Sequence, residues 1–180
     1  MYRRILAAVN EHNNAELAAR YAIYLAQACG AQLTLVFVAL KGMEPCVSRR
    51  AEAALERLVL EAEAKSLEVK SSIKQGDPYQ QISSLVLEEA IDLAFSATRR
   101  EDVSRRYFVR TVARELMLKL PCSVALVRVV HPGRISPQKI LVPYRGLPTH
   151  PEEKAFFVGK LAEAFGAAVT LFHAPETIST

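Results

Sequence analysis

Short apolar segments that alternate with amphipathic segments constrain this chain more than any other feature of its sequence. The apolar segments predict strands at Ile5–Val9, Leu33–Val38, Leu67–Ile73, Asp92–Ser96 and Ser123–Val130. Continuous apolar runs of this length are typical of strands that are buried on both faces of a parallel sheet. Because helical segments separate these strands, residues 1–130 predict an α/β fold with an open, doubly wound, parallel five-stranded sheet.

Capping residues and apolar periodicity predict four helices between these strands. We expect N-caps at Asn13 or Asn14, at Ser48 and at Asp77, followed by Pro78 as a first helical residue, and a helix stop at Gly30. The fourth helix is expected to run from about Tyr107 to Lys119. The predicted inward faces are Leu17, Tyr21, Leu25 and Ala28; Ala51, Leu55, Leu58 and Ala62; Ile82, Leu85, Val86 and Ala90; and Phe108, Val112 and Leu116.

The pattern restarts after a proline-rich segment at residues 131–138, which we interpret as a linker. Residues 139–142 match 4–7 at an offset of 135, and 161–171 match 25–35 at an offset of 136. Residues 139–174 therefore predict a partial second repeat of one βαβ unit, followed by a tail at 175–180. A unit of about 40 residues rarely buries its own faces. We expect the chain to be a fragment of a tandem protein, or this unit to pack on the first domain or another subunit.

Composition excludes several classes of protein. The chain contains no segment of about 18 apolar residues free of charge, so we expect no membrane span. Cys29, Cys46 and Cys122 are widely spaced and form no CxxC pair, which argues against a disulfide framework or a zinc site and favours a cytoplasmic protein. Cys29 and Cys122 are expected to be buried packing residues. His12 lies in the first strand-to-helix loop, where α/β sheets bind ligands, and is a candidate contact, whereas His150 and Pro151 are expected to open the last helix.

Residues 2–10, 26–38, 76–78 and 120–128 occur in an order and spacing that carry a family resemblance. These four segments resemble parts of the universal stress protein family. Residues 2–10 resemble its first strand, which ends in Val-Asp, and residues 26–38 resemble its first helix end and second strand. Residues 76–78 resemble the turn before its third helix, and residues 120–128 resemble its final strand. The resemblance covers a complete domain over residues 2–130 and the opening third of a second, as in tandem members, and implies the same α/β fold.

The resemblance also implies where a nucleotide would bind. The nucleotide-binding branch of the family carries G-x2-G-x9-G-[ST] after the fourth strand and an Asp after the first. The corresponding positions here are Asn10, Val38, Ala97, Arg100, Arg110, Thr111 and Val112. Only Thr111 fits the motif, because the three glycines are replaced by Ala97, Arg100 and Arg110, and the carboxylate by Asn10. Glycines allow backbone N–H groups to approach phosphates closely. We therefore expect a degenerate nucleotide site and no cofactor, with ATP or AMP as the alternative.

Six arginines lie between residues 99 and 114, against Glu101 and Asp102, and this segment alone carries the net charge of the chain, +4. Guanidinium groups bind phosphates and carboxylates in a bidentate manner, so the segment is a candidate site for another anion or an acidic partner. The alternative is a solvated surface in which these arginines pair with Glu101, Asp102 and Glu115.

These observations predict a binding or regulatory module of the stress response rather than an enzyme, since no nucleophile–base pair or metal site can be argued from the sequence. The alternatives are a nucleotide or anion binder that uses the Arg-rich loop, and a cytoplasmic regulatory domain of a transporter. The resemblance implies a homodimer or tandem self-pairing through Ser123–Val130, and a protein partner is possible. A net charge of +4 is too small to indicate nucleic acid.

Overall fold

The structure is a computed structural model that describes residues 1–98, 111–130, 136–144 and 150–173. It divides into two compact units, which separate between Ile135 and Ser136. The elements of the first unit are β1 (Arg4–Val9), α1 (Asn13–Cys29), β2 (Gln32–Ala39), α2 (Pro45–Ala64), β3 (Val69–Gln75), α3 (Pro78–Glu88), β4 (Leu93–Ala97), α4 (Val112–Lys119) and β5 (Ser123–Val127). The predicted start of the fourth helix at Tyr107 and its inward residue Phe108 lie outside the described residues.

The first unit contains a five-stranded sheet in the order β3-β2-β1-β4-β5. Its neighbouring strands are all parallel. The chain moves outward from β1 to β3, then returns past β1 to β4 and β5. Right-handed crossovers then place α1 and α2 on one face and α3 and α4 on the other, and the helices of each pair are in contact. The predicted open, doubly wound parallel sheet is confirmed.

β1 forms the centre of the core because it is covered on both edges and both faces. Ile5, Leu6 and Ala7 are fully buried between β2 and β4. Side chains alternate along a strand, so Leu6 packs with Ile82 and Leu116 of the α3–α4 layer, while its neighbours face the α1–α2 layer. The predicted inward faces of the second and third helices are buried at Ala51, Leu55, Leu58, Ala62, Ile82, Leu85 and Val86.

Two helix ends follow the prediction because the residues there have a strong conformational preference. The Asp77 side chain accepts a hydrogen bond from the N–H of Gln80 at 2.9 Å, and Pro78 is the first helical residue. Gly30 ends α1 in the left-handed region, with φ 62°, and donates its N–H to Gln27 O at 3.2 Å.

Two predicted N-caps are wrong. The N-cap position of α1 is His12, not Asn13 or Asn14, and the His12 side chain makes no capping hydrogen bond. The Asn10 side chain folds the preceding loop by accepting the N–H of His12 at 2.9 Å. α2 begins at Pro45, well before Ser48, because the fixed φ of proline suits the first helical position. The Ser48 hydroxyl instead donates to Glu52 Oε1 at 2.6 Å within the helix.

Two predicted inward residues are exposed. α3 ends at Glu88, so Ala90 lies in the turn that follows, at a φ of 48°, where the chain reverses towards β4. Val112 is 43% exposed because the first residues of α4 turn Ala113 and Leu116 towards the sheet.

Two strands also differ from the prediction. β5 ends at Val127 rather than Val130, because β4 ends at Ala97 and the last ladder bond runs from the N–H of Thr98 to Val127 O at 3.0 Å. β3 begins at Val69 because the N–H of Leu67 is used to cap α2, donating to Ala62 O at 3.1 Å.

The second unit contains β6 (Lys139–Tyr144), α5 (Pro151–Phe165) and β7 (Ala168–His173). β6 and β7 form a parallel two-stranded sheet. His150 is the N-cap of α5 and Pro151 its first residue, as predicted. No residue of α5 is buried and every residue of β7 is exposed, whereas the strand interior of β2 is buried.

Asp92 connects three strands at the amino end of the sheet. Its Oδ2 accepts the backbone N–H groups of Arg3 at 2.7 Å and Arg4 at 3.0 Å. Its own N–H donates to Arg4 O at 2.9 Å, and its carbonyl accepts from Ser123 N–H at 3.2 Å. The Asp92 carboxylate therefore fixes the start of β1, and the Asp92 backbone joins β1 and β5.

We expect Asp92→Ala to lower the free energy of unfolding by about 1–2 kcal/mol, because two backbone donors lose a charged acceptor. This corresponds to a fall in Tm of roughly 2–8 °C for a chain of this size. Thermal unfolding followed by circular dichroism measures the change. Glu88→Ala removes a nearby exposed carboxylate and is the matched control. An equal effect of the two substitutions would contradict this role for Asp92.

Candidate functional site

The carboxyl edge of β1 and β4 is the candidate site because the sheet reverses its winding direction between these two strands. Ligands of open α/β sheets bind in the crevice at this point. The parallel register, with Ala7 opposite Phe95, brings Asn10 and Ala97 to the same edge. α4 begins after Thr111, so its N-terminus belongs to this edge as well.

Asn10 follows β1 at the predicted position, but its side chain is already engaged. Its Oδ1 accepts the N–H of His12 at 2.9 Å, which closes a turn between β1 and α1. An amide carries no charge, and this oxygen is committed to the loop. Asn10 therefore offers a ligand its amide N–H₂ group rather than a carboxylate.

The structure separates the remaining predicted positions into buried and accessible ones. Val38 is 9% exposed and belongs to the apolar cluster beneath α3 and α4. Thr111 uses its hydroxyl to cap α4, accepting the N–H of Arg114 at 3.3 Å. Ala97 is partly exposed at the end of β4, and Val112 is largely exposed. Arg100 and Arg110 lie outside the described residues, as do Arg99, Arg105 and Arg106.

The sequence did not predict a cavity between α1 and α2. It has a volume of about 150 Å³ and is lined by Asn10, Glu11, His12, Asn13, Glu16, Arg50, Ala53, Ala54 and Arg57. The apolar periodicity of α2 predicts that Arg50 and Arg57 lie on its solvent-facing side. It does not predict which part of the chain these arginines face. Only the packing of α1 on α2 shows that these arginines face the loop that contains His12.

Among the described residues, no group of three His, Cys, Asp or Glu side chains is arranged to hold a metal ion. In the same part of the chain, no helix is both long and apolar enough to span a membrane.

The model of the universal stress protein family matches residues 1–128. The chain belongs to the universal stress protein family. Its fold, with Asn10 and Ala97 at the switch point, is the fold of this family. None of the curated proteins is similar enough in sequence to match this chain.

Solved structures of universal stress proteins share the fold. Universal stress protein UspA from Lactobacillus plantarum is 22% identical, with a TM-score of 0.61 over 71% of this chain and 98% of that one. A family protein from Arabidopsis thaliana with AMP bound is 16% identical, with a TM-score of 0.53 over 70% of this chain and 91% of that one. A protein of unknown function from Pseudomonas aeruginosa PAO1 is 19% identical, with a TM-score of 0.66 over 94% of this chain and 60% of that one.

Cys122 precedes β5 of the universal stress protein domain and packs against the apolar cluster of α3 and α4. The predicted packing role of Cys122 is confirmed. Cys122 and Cys29 are both half-buried, however, and not fully buried as predicted. The pKa of the Cys122 thiol is raised from 9.0 to about 11, mainly because burial disfavours the thiolate. A backbone hydrogen bond with Ala94 lowers the pKa, and the charge of Asp92 raises it. The thiol is therefore protonated and unreactive at neutral pH.

In a Cys29→Ser, Cys46→Ser variant, we expect the rate of Cys122 alkylation by iodoacetamide to increase with pH and to give an apparent pKa of about 11. The same variant unfolded in urea is the control. Because the pKa is raised by folding, the protonated thiol stabilises the fold below pH 9, and this contribution is lost as pH rises towards 11. A folded-state value of 9 or lower would contradict the burial argument.

Proposed function

We propose that this universal stress protein domain is a non-catalytic binding or regulatory module of the stress response that does not hold an adenine nucleotide in the manner of the family's nucleotide-binding branch. The observation that carries the proposal is the state of Asn10. It replaces the carboxylate of that branch, and its Oδ1 is occupied by the N–H of His12. The replacement of the motif glycines by Ala97, Arg100 and Arg110 supports the same conclusion, since a Cβ restricts backbone approach to phosphates.

An adenine nucleotide remains the second candidate ligand, because the structure of the Arabidopsis thaliana relative contains AMP. Thr111 retains the hydroxyl that the motif requires, and the fold retains the crevice. In this alternative, Arg100 and Arg110 bind the phosphates in place of glycine N–H groups. The two candidates differ in a measurable way.

We expect no change in Tm when the wild-type protein is mixed with ATP or AMP at millimolar concentration, with or without magnesium. A ligand at 100 times its Kd would stabilise the protein by about 2.7 kcal/mol, which is roughly 5–10 °C for a chain of this size. The matched variant is Asn10→Asp, Ala97→Gly, Arg100→Gly, Arg110→Gly, which restores the carboxylate and all three glycines of the motif and is expected to gain a nucleotide-dependent shift. A wild-type shift that Arg110→Ala removes would establish the second candidate instead.

We also propose that the domain forms a homodimer through the exposed edge of β5. β5 is the last strand of its sheet, and all five of its residues are half-buried although no strand of the described chain covers its outer edge. Nearby, Met117 and Leu118 of α4 are 48% and 66% exposed. An apolar strand edge of this kind is a template for pairing with a second strand. The residues available for pairing are Ser123–Val127, fewer than the sequence suggested.

The hydrogen bonds of β5 identify a substitution that tests this pairing. Ser123 N–H and Val127 O both bond towards β4, so the alternation along a strand turns the N–H groups of Val124 and Leu126 outward. Leu126→Pro then removes an outward donor and leaves the bonds to β4 intact. Leu126→Ala shortens the same side chain but keeps the donor.

Light scattering after gel filtration is expected to give the wild-type protein and Leu126→Ala a mass near twice 19.9 kDa. Leu126→Pro is expected to give a monomer with unchanged circular dichroism, because only the outer edge of β5 is altered. A monomeric wild-type protein, or a Leu126→Pro variant that remains dimeric, would contradict pairing through this edge.

We further propose that β6, α5 and β7 are a second copy of the β1–α1–β2 unit. Their geometry supports this. Lys139 pairs with Ala168 as Arg4 pairs with Gln32, which reproduces the offsets of 135 and 136. Gly166 ends its helix at φ 60°, as Gly30 does at φ 62°. The hydrogen bonds that follow are also equivalent: Ala31 N–H to Ala26 O and Ala167 N–H to Ala162 O are both 2.9 Å.

The localisation that we propose is the cytoplasm. None of the cysteines in the described part of the chain forms a disulfide, which is the state that a reducing compartment maintains.

A further inference from the structure

The cavity between α1 and α2 combines three basic side chains with two carboxylates. His12 lies in the loop before α1, and Arg50 and Arg57 lie on the facing side of α2. Of the described positions that correspond to the family's nucleotide site, only Asn10 lines this cavity; Val38, Ala97 and Thr111 do not. The cavity is therefore a separate feature of the α1–α2 layer.

The two carboxylates of the cavity differ in how they are paired. Both oxygens of Glu16 are held by Arg57, through Nη2 at 2.8 Å and Nε at 3.4 Å, and Arg20 Nη2 lies 3.2 Å from Oε1. The Glu16 side chain is 14% exposed, whereas the Arg57 side chain is 56% exposed, so the pair lies at the edge of the α1–α2 interface. Glu11 Oε1 lies 3.2 Å from His12 Nε2. Glu16 is therefore compensated by two guanidinium groups, whereas the partner of Glu11 is a histidine.

Arg50 supplies the positive charge of the cavity that is not paired with a carboxylate of the described residues. Within the described residues, its guanidinium forms no hydrogen bond or ion pair, although its helix neighbour Arg57 is fully engaged with Glu16. A guanidinium has five N–H donors in a planar fork, which matches the oxygens of a phosphate or carboxylate group. The amides of Asn10 and Asn13 add neutral donors to the same wall. Ala53 and Ala54 also line the cavity, and their small side chains leave room for a ligand.

We propose that this cavity binds a small oxyanion of phosphate type, with Arg50 as its principal ligand. The volume of about 150 Å³ is enough for one tetrahedral oxyanion. The Glu16–Arg57 pair holds the wall in position, and the oxyanion neutralises Arg50. The site goes beyond the proposed function, because its principal ligand, Arg50, is not a motif position and the pairing of β5 is not involved; of the motif positions it uses only the Asn10 amide.

The probe is inorganic phosphate, titrated into the full chain at constant ionic strength and followed by calorimetry and by the chemical shifts of residues 10–13. We expect saturable binding that Arg50→Ala weakens by about tenfold or more, the usual cost of losing a bidentate charged contact. Arg49→Ala removes the same charge from the neighbouring residue, which does not line the cavity, and is expected to change the Kd by less than about twofold.

A second variant tests the space rather than the charge. Ala53→Phe fills the cavity without altering any charged residue and is expected to abolish binding, while circular dichroism confirms the fold. Equal effects of Arg49→Ala and Arg50→Ala, unchanged binding by Ala53→Phe, or no saturable binding by the wild-type protein would each overturn the proposal.

Two further probes identify the source of the oxyanion. Glycerol 3-phosphate and AMP carry the same group on a small and a large molecule. If a phosphate ester binds and competes with phosphate in an Arg50-dependent manner, the site holds the terminal phosphate of that ester. AMP binding that Arg110→Ala abolishes and Arg50→Ala does not change would contradict the proposed function. The phosphate titration with Arg50→Ala and Arg49→Ala would then confirm or overturn the oxyanion site independently.

Discussion

The burial of β1 is the constraint on which the rest of the first unit depends. Ile5, Leu6 and Ala7 lose all solvent contact only if strands cover both edges of β1 and helices cover both of its faces. Chain connectivity then places β2 on one edge and β4 on the other, and right-handed crossovers divide the helices between the faces. The same arrangement creates the switch point at the carboxyl end of β1. Core and candidate site therefore have one physical origin.

The features that the sequence predicted correctly are those in which local chemistry and burial agree. Asp77 followed by Pro78 begins a helix in almost any context, and Gly30 adopts the left-handed conformation without strain. The predictions that failed depend on neighbours. α1 begins after His12 because Asn10 folds the loop before it, and the length of β5 is set by the end of β4.

The candidate site shows the same division. The positions of Asn10 and Ala97 at one edge were predictable, because parallel strands end together. The hydrogen bond from the N–H of His12 to the oxygen of Asn10 was not predictable, because it depends on a turn geometry that several residue types can adopt. The cavity beside Arg50 could also not be predicted from the sequence, because it arises from the packing of α1 on α2, which are separated in the chain by β2.

The second unit demonstrates what burial contributes. β7 has nearly the same hydrogen-bonded relation to β6 as β2 has to β1, yet its apolar residues Leu171 and Phe172 are 68% and 55% exposed. The equivalent residues of β2 are buried because α2, α3 and β3 surround them. Local sequence is therefore enough to specify a βαβ unit, whereas covering its faces requires further elements.

The most direct test of the central claim, that the carboxyl edge of β1 no longer holds an adenine nucleotide, is the nucleotide content of the protein as purified from cells. The protein is denatured, and the released small molecules are separated by chromatography and quantified by absorbance at 260 nm. The account predicts no adenine nucleotide above the level released from a Thr111→Ala variant purified in parallel. About one ATP or AMP per chain, absent from that variant, would contradict it.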